Sequence, residues 1–308
     1  MRSRLGQGDA TIVHMATSKK QAKRGSGEVG GSGSFTRALA TGHGFVLADR
    51  DPRSTPGYDG DKAAGVELMA KTEPELGDLQ ERLYAEAMAG GTTAVLLVVQ
   101  GMDTSGKGGI MRHVVGSVDP QGVRYTAFKA PTREELEHPF LWRIRNALPR
   151  PGQIGVFDRS HYEDVLIARV HNLVPPATWG RRYGQINTFE QTVTQAGTTI
   201  VKVLLHISSD EQKARLAARL DRPEKHWKYK PADVDEREWW PAYQEAYQVA
   251  IQRCSTEHAP WFVVPADRKW YARLAVQQLV VEHLRLMALR WPVATFDVEA
   301  EQARLAAT

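Results

Sequence analysis

The stretch Ala94–Gln100, AVLLVVQ, is apolar at all but its last position and runs directly into Gly101-Met102-Asp103-Thr104-Ser105-Gly106-Lys107-Gly108. A strand without a polar face must be covered on both sides, as a central strand of a parallel sheet is. A glycine-rich turn between such a strand and a helix curls so that successive backbone N–H groups converge. The helix N-terminus adds its dipole, and the whole makes a cradle for phosphate. Lys107 then brings a mobile full charge to a phosphate oxygen. An ordinary strand-to-helix turn would have to produce both glycines, the lysine and both flanks together by chance.

The rest of the chain alternates in the same manner. Val123–Phe128, Ile154–Phe157, Ile200–Ile207 and Trp261–Val264 read as further strands. Helical patterns cover Gly108–Val118, Arg133–Ala147, Trp179–Ala196, Ser209–Leu220 and Lys269–Arg290, with an earlier helix over Glu75–Ala89 that Gly90-Gly91 stops. Such alternation predicts an α/β fold, a mostly parallel five-stranded sheet with helices on both faces. One domain over residues 41–295 is the economical reading, with no internal repeat. Residues 1–40 combine Lys and Arg with Gly-Ser runs and read as a disordered basic tail; residues 296–308 read as a C-terminal tail.

Composition narrows the chemistry. Cys254 is the single cysteine of 308 residues, which excludes an intramolecular disulfide and a Cys-rich metal site. His161, His171 and His206 lack zinc-protease spacing. No run of eighteen apolar residues and no signal-type segment is found, so the expected location is the cytoplasm, away from membranes. A pI near 9.1 with a net charge of +4 suits a polyanionic partner, though a solvated basic surface would give the same numbers.

Three segments carry the chemistry. In the loop, Gly108 stands where Ser or Thr usually holds Mg²⁺, and Asp103 is the natural substitute as a hard oxygen ligand. In Ile154-Gly155-Val156-Phe157-Asp158-Arg159, a strand ends in a carboxylate suited to magnesium, followed by a guanidinium suited to phosphate. After the fourth strand, Arg215, Arg219 and Arg222 recur at helical spacing and lead into the basic, aromatic stretch to Lys230. A lid closing over phosphates at about residues 215–240 would have this composition; so would an arginine-rich surface helix. Lys129 and Arg133 follow the second strand and are candidates to line the path of an extended polyanion. Trp239, Trp240, Tyr243 and Tyr247 read as core rather than as a base-stacking platform.

Together these segments resemble polyphosphate kinase family 2, through Gly-Met-Asp-Thr-Ser-Gly-Lys-Gly-Gly (101–109), Phe-Asp-Arg-Ser-His-Tyr-Glu-Asp-Val (157–165) and Arg219–Lys230, over roughly residues 45–290. The resemblance implies a three-layer α/β/α P-loop fold with a helical lid. It also implies transfer of a terminal phosphoryl group between inorganic polyphosphate and nucleoside mono- or diphosphates, dependent on Mg²⁺ with Mn²⁺ as substitute. By that likeness the polyphosphate site comprises Gly101, Thr104, Ser105, Gly106, Lys107, Gly108 and Gly109. Asp103, Arg159, Tyr162 and Glu163 contact the nucleotide, and Asp103 and Asp158 hold the metal. Lys107, Arg159, Arg219 and Arg222 act on the transferring group. A homo-oligomer is implied, and no specific nucleic-acid partner. Two other readings stay open: an ATP-dependent kinase of nucleotides or small metabolites, and a non-catalytic polyanion-binding module.

Overall fold

The computed structural model describes residues 34–308, so most of the expected basic tail lies outside the described residues. In chain order the elements are α1 (Phe35–Leu39), α2 (Lys62–Met88), β1 (Ala94–Gln100), α3 (Lys107–His113), β2 (Val123–Ala127), α4 (Arg133–Leu136), α5 (Trp142–Ala147), β3 (Ile154–Asp158), α6 (Ile167–Val170), α7 (Pro176–Gln195), β4 (Thr198–His206), α8 (Ser209–Leu220), α9 (Ala232–Asp235), α10 (Trp240–Cys254), β5 (Trp261–Pro265), α11 (Lys269–Leu286) and α12 (Val298–Ala306).

The five strands form one sheet in the order β2-β3-β1-β4-β5, and every pairing is parallel. All seven residues of β1 are buried. Its alternate side chains enter opposite cores: Val95, Leu97 and Val99 pack with α1, α2 and α11, while Leu96 and Val98 pack with α5 and α7. A third cluster joins α6, α7 and α10 to Leu204 and Val263. The chain leaves β1 toward β2 and β3 on one side, then returns to β4 and β5 on the other. The connections therefore diverge at the C-terminal end of β1 and open a crevice there.

Four boundaries differ from the sequence expectation. The helix expected from Glu75 begins at Lys62, because Pro74 sits inside α2 rather than at its start. Burial of Leu76, Leu79 and Leu83 holds α2 together despite that proline. The helix expected over Arg133–Ala147 divides into α4 and α5 around Pro139, which has no N–H to continue the ladder. Residues 35–40, assigned to the tail, are folded: Phe35 and Leu39 are buried, and Glu282 accepts the backbone N–H groups of Phe35 and Thr36 at 2.9 Å each. Within the expected C-terminal tail lies α12, with no buried residue. No helix among the described residues is long and apolar enough to cross a membrane.

Candidate active site

The loop after β1 depends on its glycines. Gly101 has φ +151°, and a Cβ there would lie 2.6 Å from Ser105 Oγ and 2.8 Å from the Leu205 carbonyl oxygen. Gly106, at φ +114°, caps α3 in the left-handed region, and Thr104 adopts φ +65° without being glycine. Strain of this kind persists only where neighbours over-determine the backbone. The neighbour here is Arg215 on α8, whose buried guanidinium donates to the carbonyls of Thr104 (2.8 Å), Ser105 (2.9 Å), Ala266 (2.6 Å) and Asp267 (3.1 Å). Its Nε donates to Glu211 at 2.7 Å. Arg215 is thus a strut between the loop and the end of β5, and its donors are spent on protein.

Lys107 Nζ folds back to the carbonyls of Gly101 (2.7 Å) and Met102 (3.3 Å). Burial pushes its pKa down, and the nearby carboxylates of Asp103, Asp158 and Glu163 oppose that shift. The lysine therefore lies within electrostatic range of the acids at the end of β3.

At that end, Asp158 accepts from the Tyr125 hydroxyl at 3.3 Å, and Arg159, at φ +63°, donates to Asp103 Oδ1 at 3.1 Å. The two sequence motifs are thereby joined directly. Gln100, wholly buried at the root of the loop, joins them again. In the amide orientation that satisfies every neighbour, it donates to Glu163 Oε1 at 3.1 Å and accepts from the Ser160 hydroxyl and N–H at 3.0 Å each. Burial pushes the Glu163 carboxyl above the usual range, with Arg159 and Lys107 offsetting only part of that effect.

Tyr162 is not the nucleotide contact that the sequence led us to expect. The tight turn His161–Asp164 sends Glu163 to the crevice but Tyr162 into the interior, where it is 0% exposed. Its hydroxyl donates to Glu190 Oε1 (2.9 Å) and accepts from Lys202 Nζ (2.8 Å). Lys202 also donates to Glu190 Oε2 and the Cys254 carbonyl, each at 2.6 Å, and His161 Nε2 lies 3.0 Å from Glu190 Oε1. A fully buried ion pair thus anchors the turn that carries Glu163 and follows Arg159.

Two basins meet at the loop. One, of about 240 Å³, is lined by Gly101, Asp103, Arg159 and Glu163 on the sheet side and by Lys230, Asp233, Glu236, Tyr243 and Tyr247 opposite. The other, of about 330 Å³, lies beside Thr104 and is lined by Arg215, Arg219, Arg222, Lys225, Lys228 and Lys269, with Glu211 the one carboxylate among the described lining residues. Arg219 sits between the two, its Nη1 donating to the Lys228 carbonyl (3.0 Å) and to Asp233 (3.3 Å). Arg222 is exposed and pairs with Glu224 at 2.9 Å. Arg237 fastens this segment to α8 through the Ser209 carbonyl (3.0 Å) and Gln212 (2.8 Å).

Lys129 and Arg133 line neither basin. Lys129 borders a separate recess at the β2 edge with Arg124 and Arg143, and Arg133 is exposed at the start of α4. The expected polyanion path along them is not where the cations converge. Tyr243 and Tyr247, read as core, do pack in the cluster of α6, α7 and α10, Tyr247 buried and Tyr243 partly so, and they also line the first basin. Their spacing of four residues put them on one face of α10, but could not distinguish a core face from a crevice face. Lys269 carried no signal, since nothing local marks the start of α11 as a neighbour of α8.

No cluster of three or more His, Cys, Asp or Glu side chains is found among the described residues. Mg²⁺ needs no such cage, since it is commonly held by one or two carboxylates, water and substrate phosphates. Asp103 and Asp158 are each engaged through one carboxylate oxygen, which leaves hard donors of the right kind.

Residues 60–291 match the family model described as polyphosphate kinase 2 (PPK2). The chain is 47% identical over 248 residues to the AMP/ADP-polyphosphate phosphotransferase of Meiothermus ruber, covering 80% of this chain and 91% of that protein. It is 44% identical over 241 residues to the ADP-polyphosphate phosphotransferase of Rhodopseudomonas palustris, covering 74% and 82%. The crystal structure of polyphosphate kinase 2 from Arthrobacter aurescens superposes with a TM-score of 0.89 at 56% identity, over 90% of this chain and 98% of that one. A parallel sheet with a glycine-rich loop after its central strand, an aspartate on the neighbouring strand and these likenesses agree: the chain belongs to the polyphosphate kinase 2 family.

Proposed function

We propose that the protein transfers a terminal phosphoryl group between inorganic polyphosphate and nucleoside mono- or diphosphates, with the donor chain in the cationic basin and the nucleotide in the mixed one. The observation that carries this reading is the second basin. Besides the strut Arg215 it gathers five cationic side chains, of which Lys225, Lys228 and Lys269 have no carboxylate partner among the described residues, and such a surface suits a long polyanion better than a single triphosphate. The first basin offers acids, a guanidinium and the rims of two tyrosines, a surface suited to a base and its phosphates.

Phosphoryl transfer asks the protein for in-line positioning and neutralisation of charge rather than a nucleophile. Lys107 exchanges the Gly101 and Met102 carbonyls for phosphate oxygens, and the loop amides hold the donor. Arg159 and Arg219, one at each basin, neutralise charge at the junction. Asp103, Arg159 and Glu163 face the acceptor, and Tyr162 positions that turn from beneath. Asp103 and Asp158 would hold Mg²⁺, which would neutralise phosphate charge during transfer when bound. The segment after the Arg215 strut, from the end of α8 to about residue 240, acts as a lid that excludes water.

Incubation with ADP or AMP, long-chain polyphosphate and Mg²⁺, with no ATP added, tests the reading. The expected product is ATP from ADP, or ADP from AMP. Absence of both would favour an ATP-dependent small-molecule kinase instead.

A further inference from the structure

We propose that α12 of one chain docks into the groove between α5 and α7 of a second copy. Every residue from Arg290 to Thr308 is exposed. Trp291, Val293, Phe296, Val298 and Leu305 are all in this stretch, with Val293 at 89% and Leu305 at 75% exposure. A helix of nine residues is too short to be stable alone in water, where about 12–15 residues are marginal. The helix, capped by Asp297, carries Val298 and Leu305, and the link before it carries Trp291, Val293 and Phe296; the described residues of its own chain leave all five exposed, so a partner is needed to cover them.

The same fold presents a matching surface. A groove of about 670 Å³ runs between α5 and α7, walled by Phe140, Leu141, Trp142 and Phe189 and rimmed by Arg145 and Arg181. Among the described residues no carboxylate lines it. The one acid on α7, Glu190, is buried on the opposite side against Lys202. Residues 297–308 carry Asp297, Glu299 and Glu301 against a single Arg304, so their charge complements that rim. The lengths also agree. The α7 wall from Arg181 to Thr192 spans about 16 Å and α12 about 14 Å at 1.5 Å per residue. The link from buried Leu289 to α12 can extend by about 26 Å, enough to reach a neighbour. Reciprocal exchange of the helix closes a two-fold dimer.

Cys254, the only cysteine, is buried, so introduced thiols report cleanly. Chains carrying Leu305→Cys and Thr188→Cys, differently tagged and co-expressed, are treated with a short bismaleimide that adds one thiol at each end. A product carrying both tags is expected. It should be lost when Arg145→Glu and Arg181→Glu accompany Thr188→Cys, and regained when Glu299→Arg and Glu301→Arg are added to the partner chain. ATP formation from ADP and polyphosphate, retained by all variants, controls for folding. No link between chains overturns the proposal, as does linkage only when both cysteines lie in one chain, or capture of the Leu305→Cys chain by a different protein alone.

Discussion

Lys107, Asp103, Arg159 and Glu163 hold one another in a balanced cluster, so the effect of each is set by its neighbours. Replacing Asp103 or Asp158 with Asn removes a hard oxygen charge from the junction of the basins. Turnover of ADP with polyphosphate should fall by at least about a hundredfold in each variant, while far-ultraviolet circular dichroism stays unchanged. A polyanion-binding module would instead bind unchanged or more tightly after losing a negative charge. Glu163 gives a prediction with a sign. Its carboxyl is raised by burial, so the folded state favours the protonated form. The resulting contribution to stability is fully present below the unfolded-state pKa of about 4.3 and is lost as pH rises through the raised folded value. Glu163→Gln should therefore melt above the native protein near pH 7, with the difference vanishing on acidification, and should turn over more slowly. Thermal melts across pH check this. The place of the loop, between a buried strand and a helix, was legible in the sequence because its glycines and lysine stand at the spacing of a strand-to-helix phosphate cradle. Tyr162 was not, since a turn that sends neighbouring side chains to opposite sides leaves no periodic trace.

Helices and strands position this cluster through two buried devices that local patterns do not reveal. Arg215 sits on a helix whose limits, Ser209–Leu220, agree with the sequence reading. Its role as a strut follows only from the arrival of the loop and the end of β5 at the same place. Lys202 sits in the apolar middle of β4, between Val201 and Val203, and its partner Glu190 comes from the preceding helix. Breaking a buried pair leaves one charge uncompensated, whereas replacing both partners removes the desolvation cost along with the attraction. Lys202→Met should destabilise by about 3–5 kcal/mol, and Lys202→Met with Glu190→Leu should recover most of that in urea unfolding. If the pair also positions the catalytic turn, the stable double variant still loses turnover. Helix boundaries failed at Pro74 and Pro139 for opposite reasons. Packing carried α2 through the first proline, and nothing compensated at the second. The helix at Phe35 was hidden because its support, Glu282, lies 247 residues away.

Across the whole molecule, the strand order places the glycine-rich loop, the Asp158 strand and α8 around one crevice, and alternation of strand and helix made that architecture readable. The division into two basins was not readable, because it depends on where the segment after α8 folds back. Basic side chains spread over α8, the following turn and α11 become one cationic basin only in three dimensions. Lys129 and Arg133 looked equivalent in sequence and lie elsewhere. A multi-cation basin also makes affinity for the long chain more sensitive to ionic strength than affinity for the nucleotide. Raising salt should therefore increase KM for polyphosphate more steeply than KM for ADP.

The most direct measurement is the pair of KM values in the Lys225→Ala/Lys228→Ala double variant. Removing two of six basin cations should raise KM for polyphosphate by about tenfold or more, the equivalent of about 1.4 kcal/mol, and leave KM for ADP nearly unchanged. A rise in KM for ADP with polyphosphate unaffected would contradict the assignment of donor and acceptor to these two basins.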